Sequence, residues 1–207
     1  PEDFGHILVE HFLSTYAHVK RCEVTISALP YVRLEVDGSP HPHAFESAGS
    51  EQHTFFVAED RSGVQAMRQG IDGLLVLKAT ASEFVGYLRD EYTTLPETRE
   101  RIFSTVVKAV WEFGTRPADY AAARVGARGA IIRTFAEHYS FAVQQTLLCM
   151  GEAVLNACPS ARRISLTMPN KHRLMVNLEP FGQHNANEIF MPTDEPHGLI
   201  TGTIRRG

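Results

Sequence analysis

Apolar positions recur along this chain at two spacings. In residues 3–18, Phe4, Leu8, His11, Phe12 and Thr15 fall at three- and four-residue steps behind Glu2 and Asp3, which predicts an amphipathic helix with acid in its first turn. Residues 118–138 and 140–157 carry longer helical patterns. The stretches "RCEVTISALPYVRLEVDG", "HTFFVAED", "VQAMRQGIDGLLVLKAT" and "STVVKAVWEF" read as extended, with "RSG" as a hairpin connection between the second and third. "GSPHPHAFESAGS", residues 38–50, is rich in Gly, Pro and Ser and reads as a linker. In "EYTTLPETRERIF", Thr94 can cap, Pro96 can take the first turn and Glu97 stands three residues on, which predicts a short helix. "NEIFMPTDEPHGLITGTIRR" reads as a strand with a Pro-containing interruption, expected to pair antiparallel with 164–178. A helix followed by paired extended segments occurs at 3–37 and again at 140–178. That echo divides the chain into 1–45, the end of one unit, and 46–207, a second unit, within an α+β fold of antiparallel sheet backed by helices.

The stretch "SLTMPNKHRLMVNLEPFG" breaks the pattern. Its even positions run Ile164, Leu166, Met168, Asn170, His172, Leu174, Val176 and Leu178, and strand side chains alternate faces. If the segment stays extended through Pro169, Asn170 and His172 share the face that buries Leu174 and Val176. Unpaired buried polar groups cost roughly 1–3 kcal/mol each, so either neighbours satisfy them or they await a ligand. The alternative is a Pro-Asn-Lys turn between two strands with His172 at its edge. Taken singly, Arg101 in "PETRERIF" reads as a solvated arginine, Gln144 as polar helix surface and Phe84 as core.

Composition narrows the function classes. Hydrophobic residues make up 43% and charged residues 21% of 207, enough chain to bury a core, and no segment has the roughly 20 apolar residues of a membrane span. Twenty basic against twenty-four acidic residues leave a net charge of −4, which offers a phosphate backbone no broad attraction, so neither nucleic acid nor membrane is an expected partner. Cys22, Cys149 and Cys158 are odd in number and form no CxxC pair, which points to reduced thiols in a cytoplasmic setting and away from cysteine-bound metal. No basic-then-apolar leader opens the chain and no targeting tripeptide, peroxisomal or other, closes it; the absence of an initiator Met suggests a missing N-terminal portion. His41 and His43, two apart in "PHPHAF", suit a metal if extended, although Pro40 and Pro42 favour a loop. No GxSxG elbow supports a Ser-His-Asp triad, and "GSEQH" and "GARGA" lack a phosphate-loop pattern.

Taken together, "SEFVGYLRDEYTTLPETRERIFST", "FAEHYSFAVQQT", "SLTMPNKHRLMVNL" and "NEIFMPTDEPHGLITGTI" resemble the urate oxidase (uricase) family in order and spacing over nearly the whole chain. The resemblance implies tandem T-fold (tunnelling-fold) units, each an antiparallel sheet with helices packed on one face, assembled as a homotetramer with sites at subunit interfaces. It makes 1–45 the later part of the first unit and 46–207 nearly all of the second, with most of the first unit absent. The implied reaction is oxidation of urate by dioxygen to 5-hydroxyisourate and hydrogen peroxide, with no metal or organic cofactor.

The same resemblance assigns substrate-binding roles by position. Phe84 matches the aromatic that stacks on the purine ring, Leu95 an apolar wall, and Arg101 the arginine that grips one edge of the anion. Gln144 matches the glutamine that grips the opposite edge, and Val143 presents its backbone N–H. Asn170 corresponds to the residue that holds water or dioxygen above the ring, and His172 to the one that orients a proton relay. The family's relay Lys and Thr belong to the first unit of a neighbouring subunit, so the chain as given is expected not to turn over urate alone. An alternative is a non-catalytic T-fold module that binds purine or pterin, or serves assembly. A pterin- or GTP-modifying T-fold enzyme would need zinc ligands that these cysteines are badly placed to supply.

Overall fold

The computed structural model describes residues 1–195 and 197–207. In chain order its elements are α1 (Glu2–Thr15), β1 (Arg21–Ala28), β2 (Tyr31–Val36), β3 (Ser39–Ser47), β4 (Gln52–Asp60), β5 (Gly63–Lys78), β6 (Phe103–Phe113), α2 (Tyr120–Glu137), α3 (Val143–Ala157), β7 (Ala161–Pro169), β8 (Arg173–Met175), β9 (Phe190–Pro192) and β10 (Leu199–Arg205). A six-stranded sheet runs β1-β4-β5-β6-β7-β10, every neighbouring pair antiparallel, and the pairs β2–β3 and β8–β9 form two-stranded ribbons. No helix among the described residues is long and apolar enough to cross a membrane.

Period-two alternation decides which face the helices cover. On β6, Phe103, Val107, Ala109, Trp111 and Phe113 are buried beneath α2 and α3, while Lys108 on the opposite face is exposed and pairs with Asp72 at 2.7 Å. On β7, Ile164, Leu166 and Met168 face the helices, and Ser165 turns outward to share a hydrogen bond with Thr203 of β10 at 2.8 Å. Two glycines let α3 sit low on this corner. A Cβ at Gly151 would stand 2.5 Å from Ile204 Cδ1, and one at Gly202 would stand 2.7 Å from Leu147 Cδ2. Close approach there fixes the height of the α3 N-terminus above the end of β7.

Several expectations change on folding. The stretch read as a linker contains β3, which pairs with β2 across a bulge between Arg33 and Glu35. Pro40 and Pro42 are tolerated because a two-stranded ribbon leaves one side of each strand unpaired, where a missing N–H costs no ladder bond. The boundary expected between 45 and 46 falls inside β3, and β1 pairs with β4 across it. The helix expected after Thr94 does not form, so Arg101 does not lie on a helical turn. Tertiary bonds hold that segment extended instead: Thr98 and Phe84 exchange backbone hydrogen bonds at 2.8 and 3.1 Å, and Gly86 N donates to the carboxylate of Glu97, which is therefore not capping a helix. The strand read over 164–178 stops at Pro169 and resumes as β8 in a different sheet, and Leu174 is 50% exposed rather than buried. The C-terminal stretch divides likewise, β9 pairing with β8 and β10 with β7; Pro196, within the expected interruption, lies outside the described residues.

Candidate functional site

Pro169 ends β7 because it has no N–H to give the ladder. The next two backbone amides are taken at once: Asn170 N donates to Gly198 O at 2.8 Å and Lys171 N to Ser104 O at 2.9 Å. The His172 carbonyl accepts from Thr193 N at 3.1 Å and from Arg173 Nη1 at 3.0 Å, and Lys171 Nζ turns away to Asp194 Oδ1 at 2.8 Å. The backbone of the Asn-Lys-His kink is thus satisfied locally. The side chains of Asn170 and His172 make no hydrogen bond to another described residue, and both line a cavity of about 500 Å³.

The facing wall comes from the segment between β5 and β6. Phe84, pinned to Thr98, lies parallel to Tyr87 with ring centroids 4.5 Å apart and planes 10° off. Arg101 donates its backbone N–H to Ser82 O at 3.0 Å and its Nε–H to Ser82 Oγ at 3.2 Å. Its guanidinium carbon stands 5.7 Å from the Phe84 ring centroid and 5.6 Å from that of Phe103. Nη2 is enclosed and has no partner among the described residues. Burial pushes the Arg101 pKa below the ordinary arginine value, the mark of a cation whose surroundings do not compensate it.

The third wall is the start of α3. Its N-cap is Ala142, whose side chain can accept nothing, and Val143 and Gln144 supply the first helical residues. Their N–H groups have no acceptor among the described residues and carry the positive end of the helix dipole into the cavity. Gln145, one residue on, is spent locally, its Oε1 accepting from Phe141 N at 3.0 Å. Leu95 closes the rim, 56% exposed.

Every binding or catalytic residue expected from the sequence therefore reaches one cavity: Phe84, Leu95, Arg101, Val143, Gln144, Asn170 and His172. Thr98, Ile102, Arg173, Asn187 and Ile200 also line it and were not expected. Arg173 had a signal, since it adjoins the kink; Asn187, at φ 67°, depends on loop geometry that no pattern announces. His41 and His43 lie elsewhere, on β3, with ring centroids 4.5 Å apart, and no group of three or more His, Cys, Asp or Glu among the described residues could hold a metal ion. The cavity is lined by the Phe84 ring, by Arg101 with its unpartnered Nη2, by the start of α3, and by the Asn170 amide and the His172 imidazole. Such a slot accepts a flat, negatively charged ring.

Fold and slot together define a class: an antiparallel sheet backed by helices on one face, with an anion-accepting cleft beside the end of a sheet strand. A family model described as Uricase matches residues 5–58 and 67–201. The uricase of Arthrobacter globiformis is 47% identical over 166 residues, covering 80% of this chain and 55% of that protein. Uricase-2 isozyme 1 of Canavalia lineata is 38% identical, covering 99% of this chain and 71% of its own length. The crystal structure of the Arthrobacter globiformis uricase superposes with a TM-score of 0.92 at 40% identity, covering 98% of this chain and 69% of that one. The chain belongs to the uricase family, whose fold is the T-fold. It spans 55% to 71% of the length of these curated relatives.

Proposed function

We propose that this chain forms the purine-holding part of a urate oxidase, which converts urate, dioxygen and water to 5-hydroxyisourate and hydrogen peroxide. The observation that carries this reading is the pairing of Arg101, whose enclosed Nη2 has no partner, with the uncapped start of α3 across a slot floored by Phe84. Arg101 would grip one edge of the urate anion with its planar fork, and Gln144 with the Val143 N–H the other. Phe84 would stack on the ring, worth roughly 1–3 kcal/mol. Urate itself supplies the two electrons that reduce dioxygen to peroxide, so the protein's tasks are orientation and charge stabilisation. Asn170 would hold dioxygen or water over the ring, and His172 would orient the proton relay.

A second copy is part of the proposal. Leu95 and Leu174 at the slot's rim are half exposed, and Leu88 and Phe181 are 100% and 77% exposed in the loops that carry the walls, apolar surface suited to an interface that closes the slot. The expected arrangement is a homotetramer of tandem units in which a neighbour supplies the relay Lys and Thr. We place the junction between units at the β4–β5 turn, because helix–strand–ribbon–strand runs once over 2–60 and again over 143–205.

The loss of urate's ultraviolet absorption tests the reading. The 207 residues alone should give no turnover, and a longer chain restoring the remaining share of the relatives' length should give it. Turnover by the 207 residues alone would remove the need for a neighbour's relay. Anaerobic urate binding without turnover by the longer chain would favour a non-catalytic binding module.

A further inference from the structure

The guanidinium of Arg101 can serve a ligand only if its plane is held, and one fully buried side chain holds it. Ser82 is 0% exposed, and its hydroxyl oxygen is the only described acceptor for the Arg101 Nε–H, at 3.2 Å. Its carbonyl takes the Arg101 backbone N–H at 3.0 Å, so a single residue fixes both ends of the arginine. Nε is engaged behind, the guanidinium carbon lies 5.7 and 5.6 Å from the Phe84 and Phe103 ring centroids, and Nη2 is enclosed with no partner among the described residues.

The same residue joins Arg101 to the opposite wall. Ser82 bridges Ser140 in parallel, through Glu83 N to Ser140 O at 2.8 Å and Ser140 N to Ala81 O at 3.0 Å. Ser140 Oγ donates to Ala142 O at 3.2 Å and accepts from Thr146 Oγ1 at 2.8 Å, which ties the bridge to the first turn of α3. Ala81, immediately before, holds φ at 56°, a left-handed conformation that an L-residue adopts only where its surroundings impose it. That turn swings the chain out of β5 and brings both Ser82 oxygens round to Arg101.

We propose that Ser82 is the positioning residue of the urate site: it orients the Arg101 fork and sets its distance from the α3 amides. This inference rests on the reading of Arg101 as the urate-gripping cation. Misplacing a gripping group by about 1 Å costs up to about a hundredfold in rate. In the full-length active chain, Ser82→Ala should therefore lower kcat/KM for urate about ten- to a hundredfold, chiefly through KM. Ser82→Thr, which keeps the hydroxyl, should recover most of it.

The discriminating measurement repeats Ser82→Ala in an Arg101→Lys background, where no Nε fork remains to be held. There the second change should alter kcat/KM by less than about twofold. A Ser82→Ala chain with parental kcat/KM overturns the inference. So does a loss of equal size in the lysine background, which would make Ser82 a structural residue only. If Arg101→Lys itself turns over urate at the parental rate, the reading of the site fails first, and the two failures are thereby told apart.

Discussion

The two ends of the sheet follow one plan and differ in the charged groups beside their helix starts, neither of which has a side-chain cap. At the first end, α1, β1, the β2–β3 ribbon and β4 run in order; at the second, α3, β7, the β8–β9 ribbon and β10 do the same. α1 opens with Glu2, whose carboxylate is buried and accepts from Gln69 Nε2 and Arg124 Nη1, each at 2.5 Å. Gln69 in turn accepts from Trp111 Nε1 at 3.2 Å. Burial pushes the Glu2 carboxyl up, but the Gln69 hydrogen bond and the Arg124 charge more than offset it, leaving the group below its ordinary value of 4.5. α3 begins at Val143 behind Ala142, whose side chain can accept nothing, and Arg101 nearby forms no ion pair among the described residues. One end pairs its buried carboxylate with a cation inside the chain; at the other, Arg101 makes no ion pair among the described residues. One order of elements is thus built twice, and under the proposed function the second copy leaves its charge for a ligand to meet.

The largest expected effect separates the two cations. In the full-length chain, Arg101→Ala should lower kcat/KM for urate by about 10²–10³-fold, the loss seen when a charge-stabilising group is removed from an active site, with little change in melting temperature. Arg124→Ala should do the reverse. Removing one partner of a buried ion pair costs about 3–5 kcal/mol, a fall of roughly 6–20 °C in thermal unfolding followed by circular dichroism, with urate kinetics within about twofold of the parent. Were Arg124→Ala to abolish turnover in a chain still folded at the assay temperature, the division into a structural and a functional end would collapse.

Acid should weaken the first end next. The lowered Glu2 carboxyl contributes stability that is present above its unfolded pKa and is lost as pH falls below about 4.5 towards the folded value. Glu112 is lowered too: burial raises it, and the hydrogen bonds and charges of Arg162 and Arg163 outweigh that. Urea midpoints measured from pH 7 to pH 3 should fall below pH 4.5, and Glu2→Gln should remove part of that fall.

The smallest effect comes from capping the second helix start; neither helix start has a side-chain cap. Ala142→Ser places a hydroxyl at the α3 N-cap, where it can accept from the Gln144 or Gln145 N–H, stabilising the free chain by about 1 kcal/mol, or 2–4 °C. The Val143 N–H that would face urate stays free, so KM for urate should change by less than about twofold. A severalfold rise in KM would mean that the Gln144 N–H also touches the substrate.

Much of the architecture was legible because period decides it. Helices backing an antiparallel sheet followed from three- and four-residue against two-residue spacings, and the kink at Asn170 and His172 announced itself as polarity on an otherwise apolar face. Local signals misled where distant partners outbid them. The Thr94, Pro96 and Glu97 pattern is a sound helix start, but pairing with Phe84 and Gly86, at least eleven residues earlier along the chain, holds it extended. Pro40 and Pro42 look like breakers, and only the one-sidedness of the β2–β3 ribbon makes them harmless. Arg101 alone reads as surface, because its burial is created by Phe103 and Ser82 after the chain has folded back on itself. Family resemblance, not periodicity, singled it out.

The enclosed Arg101 nitrogen and the open α3 amides also bear on how the molecule keeps. Each lacks a partner among the described residues, and the proposed flat anion would supply one only to the folded chain, which alone presents them together. A ligand that prefers the folded form in this way adds about 2.7 kcal/mol at a hundred times its dissociation constant. Vials of empty protein should accordingly lose potency on the shelf sooner than vials stored with a saturating purine.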